Sequence, residues 1–265
     1  MTARRGLRGV ALGYLTLLLI VPVGMVFWRA FEHGIGAAWQ AVTTPDALHA
    51  LELTLLMVAV AVPLNTVFGV AAALLLVRRR FRGKAVVEAL IDLPFAVSPV
   101  VVGLALILVY GRTGWLGQWL ADHGIRIIFS TPGMILATIF ITLPFVVREV
   151  APVLREIGTE QEEAAGTLGA SPWQTFVRIT LPAIRWGVGY GVVLTTARAV
   201  GEFGAVSVVS GRLAGQTETL TLFVQDHFER FDLAGAYAAS VLLAAIALTT
   251  VAAMTLLQRK RRAIG

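Results

Sequence analysis

The sequence predicts an all-α membrane protein with six transmembrane helices and both termini on the cytoplasmic side. Three observations lead there: composition, six long apolar runs, and the placement of Arg and Lys. Apolar residue types make up 57 % of the 265 residues, 26 glycines come on top, and charged residues are only 14 %. An average soluble domain carries about 25 % charge. Folding leaves a large surface facing the solvent, so a soluble domain of this size could not hide so much apolar area. A bilayer is the solvent that fits.

A spanning helix needs about 20 mostly apolar residues. Six runs qualify: Gly9–Phe31, Leu53–Val77, Leu93–Tyr110, Pro132–Val150, Trp186–Gly211 and Ala234–Leu257. They are continuously apolar, whereas barrel strands would alternate over about ten residues. The first run follows Arg4, Arg5 and Arg8. It is too long for a signal-peptide core and no small-residue cleavage site follows it, so a retained first span is expected.

Basic residues orient the spans. One set of connections holds Arg4/Arg5/Arg8, Arg78-Arg79-Arg80 with Arg82 and Lys84, Arg148/Arg155/Arg178/Arg185, and Arg259-Lys260-Arg261-Arg262. The other holds only Arg29, Arg112, Arg126, Arg212 and Arg230. The richer set belongs inside. This placement also accounts for the net charge of +6, and no aromatic-interleaved basic stripe suggests a nucleic acid. There is no cysteine, which removes disulfides and thiolate chemistry. His33, His49, His123 and His227 share no ligand spacing, so no metal site is expected.

The outer connections Glu32–Glu52, Gly111–Thr131 and Arg212–Leu233 are short. One inner connection, Ala151–Arg185, is long, and loops of that length usually carry function. Glu160 to Leu168 reads as a helix with Ala164, Ala165 and Leu168 close on one face. Gly169 suits a left-handed helix ending. Ser171-Pro172 suits the cap and first position of the next helix. Trp173, Phe176, Val177 and Thr180 then recur at helical spacing, and Pro182 is expected to end that helix before the fifth span.

The pattern Glu163-Ala164-Ala165, Gly169, Ile179, Leu181 and Pro182 resembles the EAA loop of ABC-importer permeases without departure. That resemblance implies the type I ABC-importer fold. It implies a coupling helix seated in a cleft of a separate ATPase, with Glu163 making a polar contact and Gly169 allowing close approach. ATP would be bound by the partner subunit, with no cofactor in this chain. Consistently, the sequence has no G-x-x-x-x-G-K-[ST] phosphate loop and no catalytic residue is expected.

A second resemblance covers nearly the whole chain. The segments Asp92-Leu93-Pro94-Phe95-Ala96-Val97-Ser98-Pro99-Val100-Val101, Pro144 to Glu149, and Ala197 to Gly211 are similar to W-type permease subunits of sulfate/thiosulfate importers. It implies a related T-type permease as heterodimer partner, two ATPase subunits, an external sulfate-binding protein, and the bacterial cytoplasmic membrane. The Gly201-Glu202-Phe203-Gly204-Ala205 piece is shared with other oxyanion permeases, including those for molybdate.

The residues alone leave the path open. Arg198 lies inside a span, where a charge is costly and faces a partner or water. Glu202 is one turn further on the same face. They either line the path of a dianion or form a structural ion pair. Ser98-Pro99, with Pro94, either breaks the third span near the path or only kinks it; we favour the kink. The expectation is one permease domain over 1–265, with the coupling loop at about 151–185. Rival readings are a molybdate permease, an ion-coupled secondary transporter, and a membrane scaffold without transport.

Overall fold

Every regular element among the described residues is helical. The structure, a computed structural model, describes the backbone of residues 2–264 and the side chains of residue 7 and residues 10–252. The expected basic clusters at Arg4/Arg5/Arg8 and Arg259-Lys260-Arg261-Arg262 lie outside the described side chains.

In chain order, α1 (Thr2–Leu15), a π turn (Thr16–Ile20) and α2 (Val21–Phe31) form the first long helix. A short α3 (Ile35–Val42) leads to α4 (Pro45–Arg78). Then come α5 (Lys84–Ala96), α6 (Pro99–Tyr110), a short α7 (Gly117–Asp122) and α8 (Thr131–Ile157). The long inner loop holds α9 (Glu160–Thr167), α10 (Pro172–Thr175) and a second π turn (Phe176–Thr180). It runs into α11 (Leu181–Val200), followed by α12 (Gly204–Val209), α13 (Leu220–Glu229) and α14 (Leu233–Ile264).

Among the described residues, four helical stretches are long and apolar enough to span a membrane: Val10–Phe31, Pro45–Arg78, Thr131–Ile157 and Leu233–Ala252. The bent pair α5–α6 makes a fifth if counted as one span. Six runs were expected, and two of them are not single helices. The third run is broken, not kinked: α5 and α6 meet at 114°. Val97 and Ser98 are both extended, at ψ 135° and 136°. Pro99 favours this, because its ring disfavours helical backbone at Ser98 and it brings no N–H of its own. The fifth run is split between Val200 and Gly204. Its longer part, α11, contains Arg185 and Arg198 and is not among the helices apolar enough to span alone.

The core is formed by α4, α8 and α11, each packed against the other two. Val146 of α8 is fully buried. A Cβ on Gly69 of α4 would lie 2.5 Å from Val146 Cβ, and one on Gly191 of α11 would lie 2.8 Å from Val146 Cα. Glycine on both neighbours lets three backbones close around one side chain, which is how helices pack where lipid offers no hydrophobic drive. Asn65, 1 % exposed, ties α4 to α8 by donating to the Ile139 carbonyl (2.9 Å) and Thr142 Oγ1 (2.7 Å). Towards the outer side, Leu53, Met57, Met134, Ile141, Val206 and Val209 form one cluster. Towards the inner side, Val70, Leu76, Val146, Val150, Leu154 and Ile184 form another.

Overpacking of a tight core costs about 1–3 kcal/mol, and more where backbone must move. Gly69→Leu is therefore expected to lower the thermal unfolding midpoint of the detergent-solubilised protein markedly, while Gly36→Leu, where a Cβ meets nothing within 4 Å, leaves it within error.

Candidate coupling surface and translocation path

The inner loop is built by local rules that close on themselves. Glu160, Glu162 and Glu163 fill the first turn of α9, where the helix dipole favours negative charge. At its other end Gly169 has φ +85°. Its N–H reaches the Gly166 carbonyl, and that of Ala170 the Ala165 carbonyl, both at 3.0 Å. This is a Schellman ending, and glycine is the residue that takes its left-handed position without strain. Ser171 then opens α10: its Oγ accepts from Gln174 N (3.3 Å), and Gln174 Oε1 accepts from Ser171 N (2.9 Å). This capping box satisfies two otherwise orphaned donors.

Ala164, Ala165 and Leu168, expected close on one face, differ in burial. Ala165 is buried, whereas Ala164 is exposed and Leu168 is 88 % exposed. Glu163 is exposed and accepts a 2.6 Å hydrogen bond from Thr159 Oγ1. Trp173 is 71 % exposed and packs near Phe176, with ring centroids 5.7 Å apart. Pro182 does not end the helix. The chain passes from α10 through the π turn into α11, with Leu181 N–H bonded to the Phe176 carbonyl five residues back. The wider turn makes room for a ring that would clash with a carbonyl in a regular α-helix. Ile179 is half-buried and Leu181 is exposed along this stretch.

Two residues that sequence reasoning missed join this loop to the membrane helices. Arg78, the last residue of α4, donates from Nε and Nη2 to both carboxylate oxygens of Glu162 (2.9 and 3.0 Å). It also donates from Nη1 to the Leu154 carbonyl (2.9 Å) and from Nη2 to the Gly158 carbonyl (2.7 Å). Thr180 Oγ1 donates to Glu162 Oε1 at 2.9 Å. In the sequence Arg78 is one of a basic run and Glu162 one of several acids, and nothing pairs them. Arg148, near the inner end of α8, meets Asp92 of α5 (3.0 Å) and lies 4.5 Å over the Phe95 ring.

The four path candidates converge. Glu202 sits in the break between α11 and α12 and is 2 % exposed. Its Oε2 meets Arg198 Nη1 at 2.6 Å as an ion pair, and its Oε1 accepts from Ala205 N at 2.9 Å. The break is also held from α13: Thr221 Oγ1 donates to the Glu202 carbonyl, and the start of that helix is tied to α4 by Thr54 Oγ1 accepting from Leu220 N, both at 2.9 Å. α12 packs on α6. A Cβ on Gly204 would lie 2.7 Å from Pro99 Cβ, and one on Gly103 would lie 2.7 Å from Val208 Cβ. The two broken spans thus meet at their breaks, with Ser98 exposed beside them. The Arg198 side chain is 33 % exposed.

On the outer side a cavity of about 700 Å³ is lined by Tyr110, Arg112, Thr113, Arg126 and Phe129 among others. Nearby in the last outer connection, Glu218 is 3 % exposed. Burial raises its pKa, with Asp226 adding to the effect and His227 and Arg230 opposing it. Among the described residues no group of His, Asp and Glu could hold a metal ion.

A family described as the binding-protein-dependent transport system inner membrane component matches residues 65–263. The chain belongs to that family. This permease is 52 % identical to the sulfate transport system permease protein CysW of Synechocystis sp., over 95 % of this chain and 91 % of that protein. It is 47 % identical to the CysW of Escherichia coli K12 (94 % and 86 %) and 39 % identical to CysT of the same organism (97 % and 94 %). Its fold matches a chain in the crystal structure of a bacterial ABC transporter involved in import of the acidic polysaccharide alginate. There the TM-score is 0.80 at 18 % identity, covering 97 % of this chain and 95 % of that one. Family membership sets aside the ion-coupled and scaffold readings.

Two predictions follow from the site chemistry. Arg198→Ala leaves the Glu202 carboxylate buried without its cation, which is strongly destabilising. Lower thermal stability and lower uptake are expected, with stability recovered when Glu202→Gln is added; a double variant as unstable as the single one would contradict this. Glu218, with its pKa raised above 4.5, binds its proton more readily when folded, so it subtracts stability as pH rises through that window. Glu218→Gln should therefore raise the unfolding midpoint at pH 8 and change it little at pH 4, read by thermal melts across that range.

Proposed function

We propose that this permease is the W-type membrane subunit of an ATP-driven importer of sulfate or thiosulfate in a bacterial inner membrane. It works with a T-type permease, two ATPase subunits that bind and hydrolyse ATP, and an external binding protein. One observation carries the coupling part: a rigidly capped helix pair on the inner side that leaves Ala164, Leu168 and Trp173 open. The substrate rests on the CysW relatives, which match over nearly the whole chain and at higher identity than CysT.

The residues support a mechanical account. ATP closes the ATPase pair and moves α9, which is seated in it through Glu163, Ala164 and the turn at Gly169, with Ile179, Leu181 and Pro182 forming the return. The loop lies between the inner ends of α8 and α11, so its displacement tilts both, a rigid-body switch. The cavity between the two permeases then alternates between faces. Arg198, with Glu202 as its counter-charge and the paired breaks at Ser98-Pro99 and Gly204 beside it, lines the anion's route.

Radiolabelled sulfate uptake in cells lacking this chain tests the proposal. Uptake restored by wild type and abolished by Gly169→Asp is the expected result. Uptake that never depends on the chain would remove sulfate, and molybdate uptake would be measured next.

A further inference from the structure

Resting on the coupling reading above, we propose that Arg78 is the positioning residue that makes the docking helix α9 and the inner ends of α4, α8 and α11 one rigid body. It thereby sets how much of each ATP hydrolysis becomes transport.

The geometry around one guanidinium carries this. Four of its five N–H groups are engaged: two on the Glu162 carboxylate of α9, one on the Leu154 carbonyl within α8, one on the Gly158 carbonyl just after it. The first belongs to the last turn of α8 and the second to its C-cap residue, where helix-end carbonyls have no helical partner. Glu162 passes the connection on to Thr180, which leads directly into α11. The end of α4, the end of α8, α9 and the π turn that leads into α11 therefore meet at a single charge pair. The two side chains are 15 % and 21 % exposed, so solvent screens their bonds less than those of a surface pair.

Little else holds α9 to the body. Its only buried residue is Ala165. Its main-chain link to α8 runs through Gly158, at φ +65° and ψ −163°, a conformation that glycine tolerates and that offers no stiffness of its own. Between the end of α4 and the loop lies a groove of about 530 Å³, lined by Leu74, Leu75, Gly166 and Phe176 among others, with Arg78 and Glu162 on its wall. The helix that meets the ATPase thus stands off the membrane helices, braced by this ion pair. A pull on α9 reaches the core through Arg78, or else dissipates by bending at Gly158. Lysine cannot substitute, because a single ammonium cannot hold a carboxylate bidentately and two carbonyls together.

The test uses the complete importer (both permeases, ATPase and binding protein) reconstituted in vesicles, and reads sulfate imported per ATP hydrolysed. In Arg78→Lys complexes of normal composition, that ratio should fall about fivefold or more, a coupling loss of ordinary size, while hydrolysis stimulated by the binding protein stays within about twofold. Glu162→Gln should fall in between. The exchange Arg78→Glu with Glu162→Arg should not restore the ratio, since the Leu154 and Gly158 carbonyls lose their donor. An unchanged ratio in Arg78→Lys and Glu162→Gln, uptake and hydrolysis falling together, or rescue by the exchange would each overturn the proposal. If Arg78→Lys does not assemble, Glu162→Gln decides. Gly169→Asp in parallel separates the two layers: full import by that variant overturns the coupling loop itself, whereas its loss beside an unchanged Arg78→Lys ratio overturns only the role of Arg78.

Discussion

Close approach at Val146 is the constraint from which the rest of this fold is hung. Gly69 and Gly191 bring α4 and α11 against α8 at this one residue, and no side chain of ordinary size would permit it. With that core fixed, the inner ends of all three helices are fixed as well, and the loop between α8 and α11 has a defined span to bridge. The outer ends are fixed in the same way, so that the chain leaving α11 must turn at Gly201 and lay α12 along α6.

That turn would be ruinous in lipid if its polar groups were left alone, since each unsatisfied backbone group there costs several kcal/mol. Side chains from distant segments answer the demand. Glu202 takes the Ala205 N–H and Thr221 takes the Glu202 carbonyl, while Thr54 takes the Leu220 N–H at the start of α13. The Glu202 charge is then met by Arg198 near the end of α11. The buried polar groups of this region are thus a consequence of breaking a span, and a water-accessible Arg198 is compatible with the same arrangement.

Local features were legible in the sequence wherever a residue dictates its own backbone. Gly169 and Ser171-Pro172 announce the ending of one helix and the start of the next, because their conformational preferences act within three residues. The apolar runs were legible because lipid demands length. What escaped was set by distance in the fold. Whether Ser98-Pro99 kinks or breaks its span depends on what α6 can pack against, and Gly103 and Gly204 supply that only once α12 is in place. Pro182 reads as a stop, yet the preceding turn widens by one residue and the helix goes on. Arg78 and Glu162 are 84 residues apart, and no periodicity connects them. Ala164 and Leu168 belong to the open side of α9 because Ala165 alone turns inward.

The first span stands apart from this network. None of the most apolar window within Val10–Phe31 is buried inside the chain, and its firm attachment is at the outer end, where Ala30 and Phe31 meet α14 near Ala238 and Leu242. Such a segment draws its free energy from lipid transfer and hardly at all from its own chain. Within this chain the first span is thus a helix moored at one end to a tightly interlocked body.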